Sequence, residues 1–253
     1  MNFSDFASLC YELEKTPSRL TKVAAAADYL RHLEPEEIRP AVAFLSGRPF
    51  PVSEPRTLDI GAGSFSHAAD VPQAESAVLP SLKIVDVANS FAEIAKASGK
   101  GSREQKHARL RDLVEMTSAE DRPILFRLLH SELRIGLHDG LIQEAIARAS
   151  GNDLKTVRRA ALFLSDLAEV ALIALTQSGA ALQQVDVKLF VPLLPMLSEL
   201  SVDFDEILKA HGGKTGLEYK YDGARVQIHK DGEGVRIWSR RLTEVTASLP
   251  EIV

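Results

Sequence analysis

Near the end of the 253-residue chain lie two stretches whose residue types could do chemistry: Glu218-Tyr219-Lys220-Tyr221-Asp222-Gly223-Ala224-Arg225 and Ile237-Trp238-Ser239-Arg240-Arg241. A lysine at the end of an expected strand sits beside a glycine turn. With Arg225 and Arg240 expected on adjoining strands, several cations can converge on one anion. Charge-assisted hydrogen bonds to phosphate are stronger than neutral ones, so such a cluster suits a polyphosphate. Gly223 permits a tight turn and a close approach of backbone to ligand. Four fixed residue types recur by chance at roughly 10⁻⁵ per position, about one chain in several hundred of this length, which argues against charges scattered on a surface hairpin.

These residues must be positioned by strands. Leu217 to Tyr221 carries one strand signal. Arg225 to Lys230 carries a second, with Val226 and Ile228 alternating against Arg225, Gln227 and His229. Asp231-Gly232-Glu233-Gly234 reads as a hairpin turn, and Val235 to Ser239 returns with Val235 and Ile237 on one face. Upstream the pattern is helical. Phe3, Phe6, Leu9, Cys10 and Leu13 recur at helical spacing. Ser18 can cap a helix carrying Leu20, Val23, Ala27, Leu30 and Leu33, and Pro35 suits the first turn of the next. Pro49, Pro51, Pro55, Pro72, Pro80, Gly61 and Gly63 predict a long loop over 48–80. Further helices are expected over 82–97, over 103–116, from Ser118 with Asp121 completing a capping box, over 140–149, over 153–177, near 187–191 and over 203–210. Prolines at 192 and 195 stop the helical pattern. The fold is therefore expected to be mainly α: a helical domain over 1–195, a linker and short helix over 196–212, and the beginning of a β-containing domain over 213–253.

Composition narrows the functional classes. Hydrophobic residues make up 45% and charged residues 26%, ordinary for a globular chain and too apolar for a disordered one. The single cysteine, Cys10, excludes an internal disulfide, an all-cysteine zinc site and an iron–sulfur cluster. No basic leader followed by an apolar run opens the chain, so no signal peptide is expected. The most apolar stretch, Ala160 to Leu175, is interrupted by Asp166 and Glu169 and reads as a buried helix rather than a membrane span. The net charge of −5 argues against a globally basic nucleic-acid binder and leaves room for a local basic patch. The first 205 residues hold 22 Lys/Arg against 28 Asp/Glu, yet Lys96 to Arg111 holds Lys96, Lys100, Arg103, Lys106, Arg109 and Arg111 against Glu104 alone. Gly99-Lys100-Gly101-Ser102 at a helix start offers exposed N–H groups and a helix dipole to phosphate, and Arg134-Ile135-Gly136-Leu137 before a helix offers a second such place.

Lys220-Tyr221-Asp222-Gly223-Ala224-Arg225 resembles the K-x-D-G-x-R motif of covalent nucleotidyltransferases: ATP-dependent DNA ligases, RNA ligases and mRNA capping enzymes. The helical leader selects among them. Ser98-Gly99-Lys100-Gly101-Ser102, Leu133-Arg134-Ile135-Gly136-Leu137 and Pro195-Met196-Leu197 resemble the N-terminal DNA-binding domain and linker of ATP-dependent DNA ligases, with the closest likeness to the archaeal and bacterial enzymes. The resemblance implies an all-α DNA-binding domain followed by the first strands of an α+β adenylation domain, truncated. The expected function is sealing of nicks in replication, repair and recombination. RNA ligase, capping-type guanylyltransferase and a noncatalytic DNA-binding scaffold of ligase ancestry are the alternatives.

The resemblance also implies roles. Lys220 attacks the α-phosphate of ATP, pyrophosphate leaves, and AMP then passes to the 5′-phosphate of a nick before the 3′-hydroxyl displaces it. Glu218 contacts adenine, Arg225 the ribose and phosphate, and Arg240 phosphate. Arg241 stands where some relatives have asparagine. Asp222 and Gly223 shape the loop. An amine must shed its proton to attack, and positive neighbours favour the uncharged form. ATP and Mg²⁺ are the implied cofactors, with no metal ligands identifiable. Nicked duplex DNA is the implied partner, gripped through phosphate and minor-groove contacts by Lys100, Arg103, Arg134 and Gly136. A sliding clamp or a missing C-terminal half are further implied partners, and the implied location is cytoplasmic and nucleoid-associated. Because the family continues with further strands and an OB-fold domain, the isolated chain is expected not to ligate and to adenylate itself poorly.

Three other signals carry less. Leu58-Asp59-Ile60-Gly61-Ala62-Gly63-Ser64-Phe65 looks like a methyltransferase cofactor loop but lacks the surrounding βαβ unit. The seven histidines show no paired ligand spacing with acidic partners. Ser239 has no His–Asp arrangement near it in sequence.

Overall fold

Asp5 accepts a hydrogen bond from the Asn2 N–H at 3.0 Å and so anchors the start of α1 (Phe3–Lys15). The computed structural model describes residues 1–60, 81–177, 179–195 and 200–253. The glycine loop from Gly61 to Phe65, Pro72, Pro80 and the Met196-Leu197 pair lie outside the described residues. The chain divides into two compact units, Met1–Asp186 and Val187–Val253. No helix among the described residues is long and apolar enough to cross a membrane.

The first unit is helical throughout. After α1 come α2 (Arg19–Arg31), α3 (Pro35–Leu45), α4 (Ile84–Lys96), α5 (Ser102–Glu115), α6 (Arg122–Leu129), α7 (Asp139–Ser150), α8 (Leu154–Leu164), α9 (Leu167–Thr176) and α10 (Gly179–Gln183). Local chemistry sets several of these ends. Ser18 Oγ accepts the Thr21 N–H at 3.3 Å at the start of α2. Pro35 fills the first turn of α3, where a missing N–H costs nothing. α2 packs along α7, α9 lies against α3 and α7, and α4 pairs with α5. A chain of rings crosses the core: Phe3–Phe6 and Phe6–Phe44 at 5.9 Å, Phe44–Phe91 at 5.6 Å and Phe50–Phe91 at 6.5 Å between centroids. The Phe3 N–H donates to the Leu82 carbonyl at 2.7 Å and the Ile84 N–H to the Met1 carbonyl at 3.2 Å, which ties the start of the chain to the entrance of α4.

Four helical expectations are corrected. The helix expected from Ser118 begins at Arg122, because Ser118 and Asp121 bond each other in a preceding turn (Ser118 Oγ to Asp121 Oδ2 at 2.8 Å). The single helix expected over 153–177 is two, α8 and α9. Asp166 is buried between them, accepting the Ala168 N–H at 2.9 Å and the Ser53 N–H at 2.7 Å, and as a cap it breaks what periodicity alone would continue. No helix forms over 187–191, where Phe190 has φ +63°. On α2, Leu20 is 77% exposed and Lys22 holds a buried position instead.

In the second unit Asp203 caps α11 (Phe204–Ala210), its Oδ1 accepting the Asp205 N–H at 2.8 Å. β1 (Val226–Asp231) and β2 (Gly234–Ser239) pair antiparallel, from Val226 opposite Ser239 to Asp231 opposite Gly234. Gly232 takes φ +56° in the turn, a conformation that suits glycine. After β2 the chain folds back. The Ser239 N–H donates to the Thr243 carbonyl at 2.9 Å and the Val245 N–H to the Ile237 carbonyl at 2.8 Å, which buries Ile237 and Trp238.

Two strand expectations are corrected here. Residues 217–221 form no strand, since the described sheet is this hairpin alone and no neighbouring strand accepts their backbone groups. On β1 the inner face carries Gln227 and His229, which bond the backbone of Leu193 and Phe190, while Ile228 is 49% exposed.

Candidate functional site

The lysine motif occupies the open segment that leads into β1. Glu218, Lys220, Asp222, Gly223 and Arg225 are all exposed there. Gly223 lies in a bend outside the left-handed region, and nothing stands within 4 Å of where a Cβ would be. Arg225 immediately precedes β1 and Arg240 immediately follows β2, so neither lies on a strand as the sequence suggested. The last pair of the ladder is Val226 with Ser239, so Arg225 and Arg240 are the next residues on either side, both at the open end of the hairpin. Arg240 sits in a tight turn closed by the Leu242 N–H donating to the Ser239 carbonyl at 2.9 Å. Among the described residues, no hydrogen bond or ion pair is seen to join Glu218, Lys220, Asp222, Arg225 or Arg240 to one another; what they share is a place at, or on the chain just before, the open end of the hairpin.

That donor set fits phosphate. Arg225 and Arg240 are both exposed and neither is engaged by a described carboxylate, so both guanidinium groups are available to an anionic ligand. Among the described residues, no three His, Cys, Asp or Glu side chains cluster where they could hold a metal ion.

In the helical unit, the cation-rich run sorts by engagement. Lys96 pairs with Glu93 at 2.7 Å, Arg111 with Glu115 at 3.8 Å, and Lys106 donates to the Leu58 carbonyl at 2.7 Å. Arg109 lies in the field of Glu93. Lys100 and Arg103 have no polar partner among the described residues. They flank Gly101, the left-handed N-cap of α5 at φ +82°, which gives the helix no side-chain cap, while the Ser102 N–H donates to the Gly99 carbonyl at 3.2 Å. A surface cavity of about 590 Å³ is lined by Arg103 and Lys106 together with Asp59, Ser98, Ser102 and His107.

The Arg134 loop is built differently from the expected helix N-terminus. Leu133, Ile135 and Leu137 are buried, while Arg134 and Gly136 alternate with them and face out. Arg134 at φ +48° and Gly136 at φ +68° both take left-handed backbone. From below, Lys22 Nζ donates to the Ile135 carbonyl at 2.6 Å, and Arg127, itself paired with Glu14, donates to the Leu133 carbonyl. Arg134 makes an exposed pair with Glu132 at 3.2 Å, a contact worth at most about 1 kcal/mol. Asp139 fills the first turn of α7, so the exposed arginine and not that helix end is the anion-attracting feature. Sequence reasoning misses Lys22 because a lysine beside Val23 reads as a solvated position. Its spacing of four from Ala26, a core residue, is the available signal.

Two family models match this chain. The one described as DNA ligase N terminus covers residues 2–71 and 65–147, and the one described as ATP dependent DNA ligase domain covers 195–253. The chain belongs to the ATP-dependent DNA ligase family. Curated relatives agree along its full length. A probable DNA ligase of Anaeromyxobacter dehalogenans (strain 2CP-1) is 37% identical over 253 residues, covering 100% of this chain and 48% of the relative. Those of Mycolicibacterium paratuberculosis and Rhodococcus opacus are 39% and 35% identical, over 98% and 100% of this chain and 47% and 49% of theirs. The chain thus spans about half the length of the curated relatives it matches. The ligase-family models fall one on the helical unit and one on the unit that carries the lysine motif.

Proposed function

We propose that this ligase-family chain supplies the duplex-gripping domain and the lysine nucleophile of a nick-sealing enzyme. In this reading residues 1–195 bind DNA, 196–212 connect, and 213–253 begin the adenylation domain. The observation that carries it is the exposed Lys220 segment leading into a hairpin whose open end is flanked by the exposed Arg225 and Arg240.

The neutral Lys220 amine forms an N–P bond to the α-phosphate of ATP as the bond to pyrophosphate breaks, and the amine proton passes to solvent. AMP then moves to the 5′-phosphate of a nick and is displaced by the 3′-hydroxyl. Arg225 and Arg240 hold phosphate oxygens while charge shifts to the leaving pyrophosphate. Glu218 contacts the adenine, and Asp222 and Gly223 shape the loop. Mg²⁺, when bound with ATP, would offset charge on the phosphates and on the leaving pyrophosphate. Lys100, Arg103, Arg134 and the loop at Gly136 grip the duplex. A sliding clamp, and polypeptide supplying the rest of the adenylation domain, are the further partners, at the nucleoid within the cytoplasm.

A chimera tests this. These 253 residues replace the matching half of the Anaeromyxobacter relative, and the product is incubated with α-³²P-ATP, Mg²⁺ and nicked duplex. Label is expected on the protein, and then on the nick, and Lys220→Ala abolishes both. Label retained on the Lys220→Ala protein would refute the assignment.

A further inference from the structure

Under the Arg134 loop lies a cation with no assigned role. Lys22 is 8% exposed, and its ammonium group donates to the Ile135 carbonyl at 2.6 Å. A Cβ at Gly136 would stand 2.5 Å from Lys22 Nζ, so the loop backbone rests directly on the ammonium group. Arg127 holds the Leu133 carbonyl in the same way. Two carbonyls two residues apart are thus turned inward onto cations, and the residue between them, Arg134, is turned outward. Arg134 adopts φ +48°, a left-handed conformation that a residue with a Cβ enters against steric resistance. Such a conformation persists only where its surroundings hold it, and the cation–carbonyl contacts on either side do so here.

We infer that Lys22 is a positioning residue for duplex binding: its ammonium group pins the Ile135 carbonyl and thereby holds the Arg134 guanidinium out towards a backbone phosphate. This rests on reading the helical unit as the duplex-binding one, and it adds a residue that touches no DNA. Lys22 acts through the loop, so its effect must depend on the arginine it aims.

The test is a double-mutant cycle on the 253-residue chain, read by fluorescence anisotropy with a labelled nicked duplex at fixed salt, with thermal melts of each variant. Lys22→Met is expected to weaken binding about tenfold in the parent chain and at most about twofold in an Arg134→Ala background. Gly136→Ala, which drives the same backbone off the ammonium group, is expected to show the same dependence and carries the comparison if Lys22→Met does not fold. Parent-like binding by both variants overturns the inference, as does an equal loss in both backgrounds. If Arg134→Glu leaves duplex affinity unchanged, the duplex-binding reading of this loop fails instead.

Discussion

Gln227 grips both backbone groups of Leu193: its amide oxygen accepts the Leu193 N–H at 2.9 Å, and its Nε2 donates to the Leu193 carbonyl. Two residues along the same face of β1, His229 Nδ1 accepts the Phe190 N–H at 2.9 Å. Side chains of the hairpin thus hold residues 190–193 in place, as the backbone of a third strand would. Each such bond contributes about 1 kcal/mol net. Replacing Gln227 with Leu is therefore expected to speed amide exchange at Leu193 about tenfold while leaving Ile237 protected. Unchanged exchange at Leu193 would show that the clamp holds nothing.

Lys100 and Arg103 at the α5 entrance and the outward arginine of the 133–137 loop predict salt-dependent duplex binding. Every phosphate that a cation neutralises steepens the fall of log affinity with log salt by about 0.9. Lys100→Glu and Arg134→Glu are each expected to weaken binding to nicked duplex and to flatten that slope, measured between about 50 and 200 mM salt. The Arg134–Glu132 pair does not shield Arg134, because exposed pairs of this kind are weak. Binding indifferent to salt and to both reversals would remove this surface from consideration.

Glu37 makes stability fall in acid. Burial pushes its carboxyl up, but hydrogen bonds from the N-terminal ammonium group and from the Glu34 N–H at 3.0 Å, with the charges of that ammonium and of Lys83, prevail and hold it below the usual carboxylate value. A carboxyl lowered in the folded state lends stability that is complete above its unfolded value of about 4.3 and is lost as pH falls through the folded value. Glu37→Gln is expected to cost about 1–3 kcal/mol at pH 7, with the deficit against the parent shrinking below about pH 4. Melts at pH 7, 5 and 3 read this directly. A deficit that stays constant across that range contradicts it.

Cys10 is fully buried on α1, and burial pushes its thiol well above the usual value. The thiolate is the reactive form, so the folded chain is expected to resist iodoacetamide at pH 8. Labelling then follows unfolding in urea and reports the stability of the helical unit. Rapid labelling without denaturant would mean that α1 opens far more readily than its packing implies.

Much of the architecture could be read from residue order. The 3.6-residue recurrence of Phe3, Phe6, Leu9, Cys10 and Leu13, the Ser18 cap and the Asp231–Gly234 turn depend on neighbours a few positions away, and such local rules travel with the sequence. The lysine motif was legible for the same reason, as was the family it points to. Other features depend on partners far along the chain. Asp166 opens a new helix inside an apolar run, held where Ser53, 113 residues earlier, offers it an N–H. Lys22 is buried because the Ile135 carbonyl, 113 residues later, receives it. Gln227 and His229 turn inward because residues 190–193 bring them backbone groups to bond, and Ile228 is left outside. Periodicity ranks residues by apolarity, whereas a buried polar group is decided by whether a partner arrives to satisfy it. The placing of Arg225 and Arg240 at the same end of the hairpin belongs to the second kind, since strand register and not proximity in sequence set it.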